Sequence, residues 1–193
     1  GVSEAYKGWV ESSTDLIEIT NVTDTSAKGT IDVNFTKNIF GSSFTAAQRV
    51  ILMVSKDGEV GGTVADTSVH TTDAYTNEYV GTEKVNVHID AENIINTTVT
   101  AENANRPVKI TAANIISGGA FKTDNELVVD SKGKIISADF EGKTVDITAK
   151  GDIVASNVHA VNNASIISEG ELDGLTVLAE GKELGDDVDA ILA

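Results

Sequence analysis

The sequence has no cysteine, which excludes disulfide scaffolds, thiolate zinc sites and thiol catalysis from the outset. That absence does not fix a compartment, although secreted bacterial proteins commonly avoid free thiols. The chain has one proline, one methionine and one tryptophan, and aromatic residues make up 5% of its 193 positions. A core with so few rings must be built from Val, Ile, Leu and Ala, and the branched aliphatics among them suit stacked, half-buried strands. Positive charge is scarce. Against 30 Asp and Glu stand 14 Lys and Arg, for a net charge of −16 and a pI near 4.4. Such a field repels phosphate backbones and anionic headgroups, so nucleic acid is an unsuitable partner. No apolar run approaches the ~18 residues of a membrane-spanning helix, and no membrane insertion is expected. The longest run is Val50-Ile51-Leu52-Met53-Val54. The chain opens at Gly1 with neither Met nor an apolar leader, which reads as a mature secreted protein with its signal peptide removed.

What is present is β-type sequence throughout. In the first half, Leu16 to Val22 is rich in β-branched residues, and a run of turn formers from Thr23 to Gly29 follows. Ile31, Val33 and Phe35 then alternate with Asp32, Asn34 and Thr36, which puts the apolar trio on one face of a strand. Strand, polar turn and strand predict a hairpin. Val50 to Val54 reads as a buried strand closed by Lys56-Asp57-Gly58. Thr45-Ala46-Ala47-Gln48 has capping-box spacing and predicts at most one helical turn. The segment Val33-Asn34-Phe35-Thr36-Lys37 and its flanks, over about residues 14–65, resemble the Ig-like modules strung along bacterial and archaeal surface-layer proteins. The resemblance implies an Ig-like β-sandwich over residues 1–83.

The second half repeats. Ile89-Asp90-Ala91-Glu92-Asn93-Ile94-Ile95 returns as Ile110-Thr111-Ala112-Ala113-Asn114-Ile115-Ile116, then near Val129-Asp130-Ser131 and Ile147-Thr148-Ala149, with looser copies at Ile167 and Leu178. The leading aliphatics are 21, 19, 18 and 20 residues apart, followed by a short step of 11. A period near twenty suits one coil of a β-solenoid, whose stacked coils lie ~4.8 Å apart and turn equivalent aliphatics into inward ladders. Ile94, Ile115, Ile135 and Ile153 are the expected ladder, and Gly133, Gly151, Gly170 and Gly181 are expected in turns at positive φ. "VDITAKGDIVAS" and "VVDSKGKIISAD" resemble filamentous-haemagglutinin-type repeats of β-helical adhesins. The fold expected is therefore all-β: the sandwich over 1–83, then a short parallel β-solenoid of about five coils over 84–193, with a C-terminal cap.

Few residues suggest chemistry. His70, His88 and His159 lie in three separate segments, and arginine occurs only at Arg49 and Arg106. Ser131-Lys132-Gly133-Lys134 matches S-x-x-K but has no helix around it, so it lacks the context of a nucleophile. No phosphate loop or dinucleotide fingerprint is present. The chain reads as a non-enzyme. Two acidic clusters, Glu169, Glu171 and Asp173 with Asp186, Asp187 and Asp189, offer hard oxygens, for which Ca²⁺ is the fitting cofactor. Four N-x-[ST] sequons, at Asn21, Asn34, Asn96 and Asn163, are candidate glycosylation sites. The function these features imply is a structural subunit of an extracellular filament or surface layer, whose partner is itself and whose subunits join by β-strand pairing. The alternative is a cell-surface adhesin or carbohydrate-binding module with glycans as partners.

Overall fold

The computed structural model describes residues 17–77, 83–181 and 190–192. Among the described residues there is no helix, and a parallel β-solenoid of about eight coils runs through both halves of the chain. A full coil has three strands on three faces. Face one stacks Thr30–Phe35, Arg49–Lys56, the start of Val87–Ile95, the start of Val108–Ser117, Glu126–Ser131, Thr144–Ala149 and Ala164–Ser168. Face two runs from Ile17–Glu18 to Leu172–Asp173, and face three from Asn21–Asp24 to Thr176–Ala179. Coils are numbered here from the first, which holds Ile17–Glu18 and Asn21–Asp24, to the eighth, which holds Ala164–Ser168. Ala190–Leu192 begins a ninth on face one by pairing with the eighth.

The period-two alternation read from the sequence places side chains as expected, and parallel stacking turns it into ladders. On face one Ile31, Val50, Val87, Val108, Leu127, Val145 and Ala164 follow one another in register, all buried. On face three the inward column includes Phe44, Val69, Val99, Phe121, Phe140 and Val158, and the Phe121 and Phe140 rings stack with centroids 5.4 Å apart. At roughly 1.5–3 kcal/mol per buried aliphatic or Phe side chain, these columns are the main driving force for the fold. The short segments around Val99, Phe121, Phe140 and Val158, which fall between the main repeats, are the face-three strands.

Two corner designs turn the chain. Between faces two and three every coil from the second to the eighth has a residue at positive φ at the same position, Gly41, Asp66, Asn96, Gly118, Ser137, Ala155 and Gly174, and the fifth coil adds Gly119. The next residue points inward and in most coils is small or hydroxylic. Ser42, Thr67, Thr97 and Ser156 each donate their buried hydroxyl to the carbonyl two residues back, which satisfies both groups inside the corner. Between faces one and two, Gly133, Gly151 and Gly170 stack directly. Their φ is not positive, contrary to expectation; of the expected four only Gly181, at φ 65°, sits there. They are required for another reason. A Cβ on Gly133 would lie 1.9 Å from the Asn114 carbonyl oxygen, and one on Gly170 would lie 2.5 Å from the Asp152 amide nitrogen, so only hydrogen fits between coils.

The first half corrects the sequence reading. Residues 17–71 do not pair as an antiparallel Ig-like sandwich. Thr30–Phe35 pairs parallel with Arg49–Lys56, and Asn21–Asp24 parallel with Ser43–Ala46. Only Ile19 and Thr20 separate the strands Ile17–Glu18 and Asn21–Asp24, so the described part of the expected strand, residues 17–22, turns a corner rather than forming one arm of a hairpin. Thr45 to Gln48 forms strand and corner, with the Ala47 amide bonded to the Asp24 carbonyl one coil earlier, and no helical turn. The step from Ile31 to Val50 is 19 residues, the same coil length as later. What hid the period is the 37-residue step from Val50 to Val87. It contains a hairpin, with Ser55–Val60 and Lys56–Glu59 antiparallel pairs about the positive-φ turn Asp57-Gly58, and a long connection after Thr71. The sheet crosses residue 84 without a break, because Val87–Ile95 pairs with both Arg49–Lys56 and Thr63–Ala65.

Register also corrects single residues. Val108–Ser117 carries one more residue than Val87–Ile95, taken up as a bulge after Ala91. The face-two ladder is therefore Ile94, Ile116, Ile135 and Ile153, and Ile115 stands beside Asn93, half-buried. Likewise Ile166, not Ile167, continues Ile147 inward; Ile167 is 46% exposed.

Candidate functional site

The connection between the third and fourth coils gathers the charge that lies closest to the core. Asn86, wholly buried, donates to the Gln48 and Asp73 carbonyls and accepts from the Asn105 and Arg106 amides, so it ties the connection to both neighbouring coils. The buried Arg49 guanidinium is bidentate to Asp32, bonds the Tyr75 hydroxyl and the Glu83 carbonyl, and lies 5.2 Å from the Tyr75 ring centroid. The Glu83 carboxylate meets His88 Nδ1 at 2.8 Å and Lys109 Nζ at 3.1 Å. Burial alone would raise the Glu83 pKa, but these two partners outweigh it and hold the pKa below the usual range. Asp90, two residues on from His88 along the same outward face, is pushed up by burial, with Glu83 adding to the rise and His88 opposing it. Sequence reasoning missed this cluster, since Asp32, Arg49, Glu83 and Lys109 come from separate segments with no common motif. Among the described residues, the hydrogen-bond partner of the His88 ring is the Glu83 carboxylate rather than a hydroxyl. The cluster fastens the connection to the coils on either side.

The acidic residues expected to act together are dispersed. Only Leu172 and Asp173 are strand, while Glu169 and Gly170 form the corner before them, so Glu169, Glu171 and Asp173 do not share a strand face as the alternation suggested. All three are exposed, and the Glu171 amide donates to Asp152 Oδ1. Asp152 is held below the usual carboxylate range by its bonds from Lys134 and from that amide. Asp186, Asp187 and Asp189 lie outside the described residues. Among the described residues no three His, Asp or Glu side chains converge in metal-binding geometry. Ser131 is buried and its hydroxyl bonds Lys134 O and Gly133 N, so the S-x-x-K match is a corner brace.

Of the sequons, Asn21, Asn34 and Asn96 are exposed, and Asn163 is half-buried with its side-chain oxygen enclosed and unpartnered. Asn96 is also the positive-φ corner of its coil, and its amide donates to Asp66 in the corner below.

The outward side of face three divides in two. In the first four coils its eight positions are Asn, Ser, Thr and one His, with no carboxylate or lysine; Thr98 and Thr100 are examples. In coils five to eight one column holds Asp139, Asn157 and Thr176 and the other Lys122, Glu141 and His159, ending on Leu178. Between these two columns runs a trough of about 480 Å³, floored by the strands of Phe121, Phe140 and Val158.

The two ends of the solenoid differ from its middle. Among the described residues, Ile17–Glu18, Asn21–Asp24 and Thr30–Phe35 each pair on one side only, as do Leu172–Asp173 and Thr176–Ala179 at the other end. Of the five exposed large apolar side chains among the described residues, Ile167, Leu172 and Leu178 belong to the eighth coil and Ile19, 72% exposed, to the first. The inward ladder of face two ends at the start of the chain on Glu18, paired with Lys37 at 3.0 Å, but at the far end on Leu172. Comparison with protein-family models, with curated proteins and with solved structures finds no match to this chain.

Proposed function

We propose that the chain is a structural subunit of an extracellular assembly, a filament or surface layer, held by β-strand pairing between subunits. The observation that carries this reading is the eighth coil. Its face-two and face-three strands have one described neighbour each, and Leu172 stands 41% exposed at the end of an otherwise buried ladder. An unpaired edge with apolar residues is a template for another chain, and proteins that do not use such edges usually blunt them with charge. The opposite end is treated in that way by Glu18 and Lys37. The acceptor is therefore the C-terminal edge, and a strand from a neighbouring subunit extends it. Repeating one such head-to-tail contact gives an open polymer wherever the rotation per subunit does not close a ring. Residues 1–13, with Val2, Tyr6, Trp9 and Val10, are the proposed donor; they lie outside the described residues. Electron microscopy and sedimentation of purified native material test the reading. Filaments or sheets lost on deletion of residues 1–10, with the monomer still folded, are the expected result. A protein that stays monomeric at every concentration would sink it.

A further inference from the structure

We infer that the trough on face three binds an extended, uncharged oligosaccharide lying along the solenoid axis, a site that does not depend on the proposed assembly. The trough crosses four coils, so its polar groups recur at the strand spacing of ~4.8 Å, a repeat comparable to the length of one sugar unit in an extended glycan. Asp139 and Asn157 offer acceptors and donors along one wall, and Thr176 adds a hydroxyl. Lys122 and Glu141 do the same on the other wall, 3.0 Å apart. These are exposed pairs: the Asn157 amide donates to Asp139 Oδ1 at 2.7 Å, and both residues are open to solvent. Exposed pairs of this kind contribute little on their own, so exchanging them for bonds to ligand hydroxyls costs little. Charge selects the ligand class. Lys122 offsets Glu141, His159 pairs with Glu180, and Asp139 keeps its charge beside a neutral amide, so the trough carries no excess of positive charge on a chain of net charge −16. That field disfavours anionic polymers, while the neighbouring donors and acceptors suit a ligand rich in hydroxyls. A peptide strand is a poor fit, because the backbone groups on this face are already spent on the ladders of both neighbouring coils and none is left to pair. Leu178, 54% exposed at one end of the trough, offers an apolar surface to the carbon-bound face of a sugar ring.

The probes are tetrasaccharides of β-1,4-linked glucose, mannose and N-acetylglucosamine and of α-1,4-linked glucose, titrated into the folded chain by calorimetry with amide shifts followed by NMR. At least one binds, its disaccharide binds more weakly, and the shifts map to coils five to eight. Asn157→Ala and Asp139→Ala each weaken binding about tenfold, the effect of one or two lost hydrogen bonds. Thr45→Ala, on the same face three coils before the trough, leaves affinity unchanged, and the melting temperatures of all three variants match the parent. The inference fails if no probe binds at millimolar concentration, or if binding survives both trough substitutions undiminished.

Discussion

Coils six to eight and coils two to three perform the same architectural task with different materials. In the later coils, faces one and two meet at a short corner that repeats Gly133, Gly151 and Gly170 with almost constant step, and the period is visible in the sequence. In the earlier coils the same junction is made by Thr36-Lys37 in one coil and by a whole hairpin in the next. Yet the inward ladders pass through both regions without a change of partner type, from Ile31 and Val50 to Val145. The lesson is that a solenoid is defined by what stacks, not by equal spacing. Insertions are tolerated at corners because loop length adds only slowly to the entropy cost of closure.

If the two regions form one stacked core, a charge in either should be equally damaging. Leu52→Asp in the third coil and Ile116→Asp in the fifth each place an unpaired carboxylate in a ladder that is fully buried. Each should cost on the order of 3–5 kcal/mol and depress a single shared unfolding transition in calorimetry. Ile115→Asp is the matched control. Its half-buried side chain stands beside Asn93, and its cost should be about 1 kcal/mol or less. Two separate transitions, or equal losses at 115 and 116, would break the single-core picture.

The corners give the next largest effect. Gly133→Ala forces a Cβ against the Asn114 carbonyl and should cost about 2–3 kcal/mol in denaturant melts. Gly61→Ala, in the irregular third coil, meets no atom within 4 Å and has ordinary φ, so it should lie within about 0.5 kcal/mol of the parent. A smaller gain is available at the other corner. Ala155 holds φ 48° in a column otherwise occupied mostly by Gly, Asn and Asp. Ala155→Gly should raise stability by about 1 kcal/mol by relieving left-handed strain, and a fall in melting temperature would contradict the corner argument.

The smallest expected effect concerns the charged connection that interrupts the earlier coils. Burial raises the Asp90 pKa above its unfolded value of 3.8. A raised carboxyl favours the fold fully below the unfolded pKa, and that contribution is lost as pH rises through the folded value. Asp90→Asn should therefore raise the melting temperature slightly at pH 7, with the gain vanishing below about pH 3.8. Glu83 has the opposite sign. Its lowered pKa gives stability that is present above the unfolded value and lost as pH falls through the folded one, so Glu83→Gln should flatten the acid limb of the pH–stability curve.

Much of this could be read beforehand, and the failures have specific causes. Alternation at Ile31, Val33 and Phe35 identified a strand and its inward side, and it did so correctly because side-chain direction is local. Whether that strand's neighbour is antiparallel or parallel is not local, so the expected sandwich went wrong on the same residues. Ile115 and Ile116 are adjacent aliphatics, and only the bulge after Ala91 decides which one faces in. The need for glycine at 133, 151 and 170 was legible, but its reason was not. An approach between coils some twenty residues apart leaves no mark on the local backbone.

By itself, the sequence determined an all-β chain with an aliphatic core, a repeat near twenty residues in its second half, and a net charge of −16. These follow from composition and from period, which depend on each residue and its near neighbours. Only the tertiary structure decided that the first half belongs to the same solenoid, that Asp139 and Asn157 line one wall of a trough, and that Glu18 ends a ladder at one terminus while Leu172 ends it at the other. Those outcomes depend on the register of strands stacked one above another, and register is set by every coil between them at once.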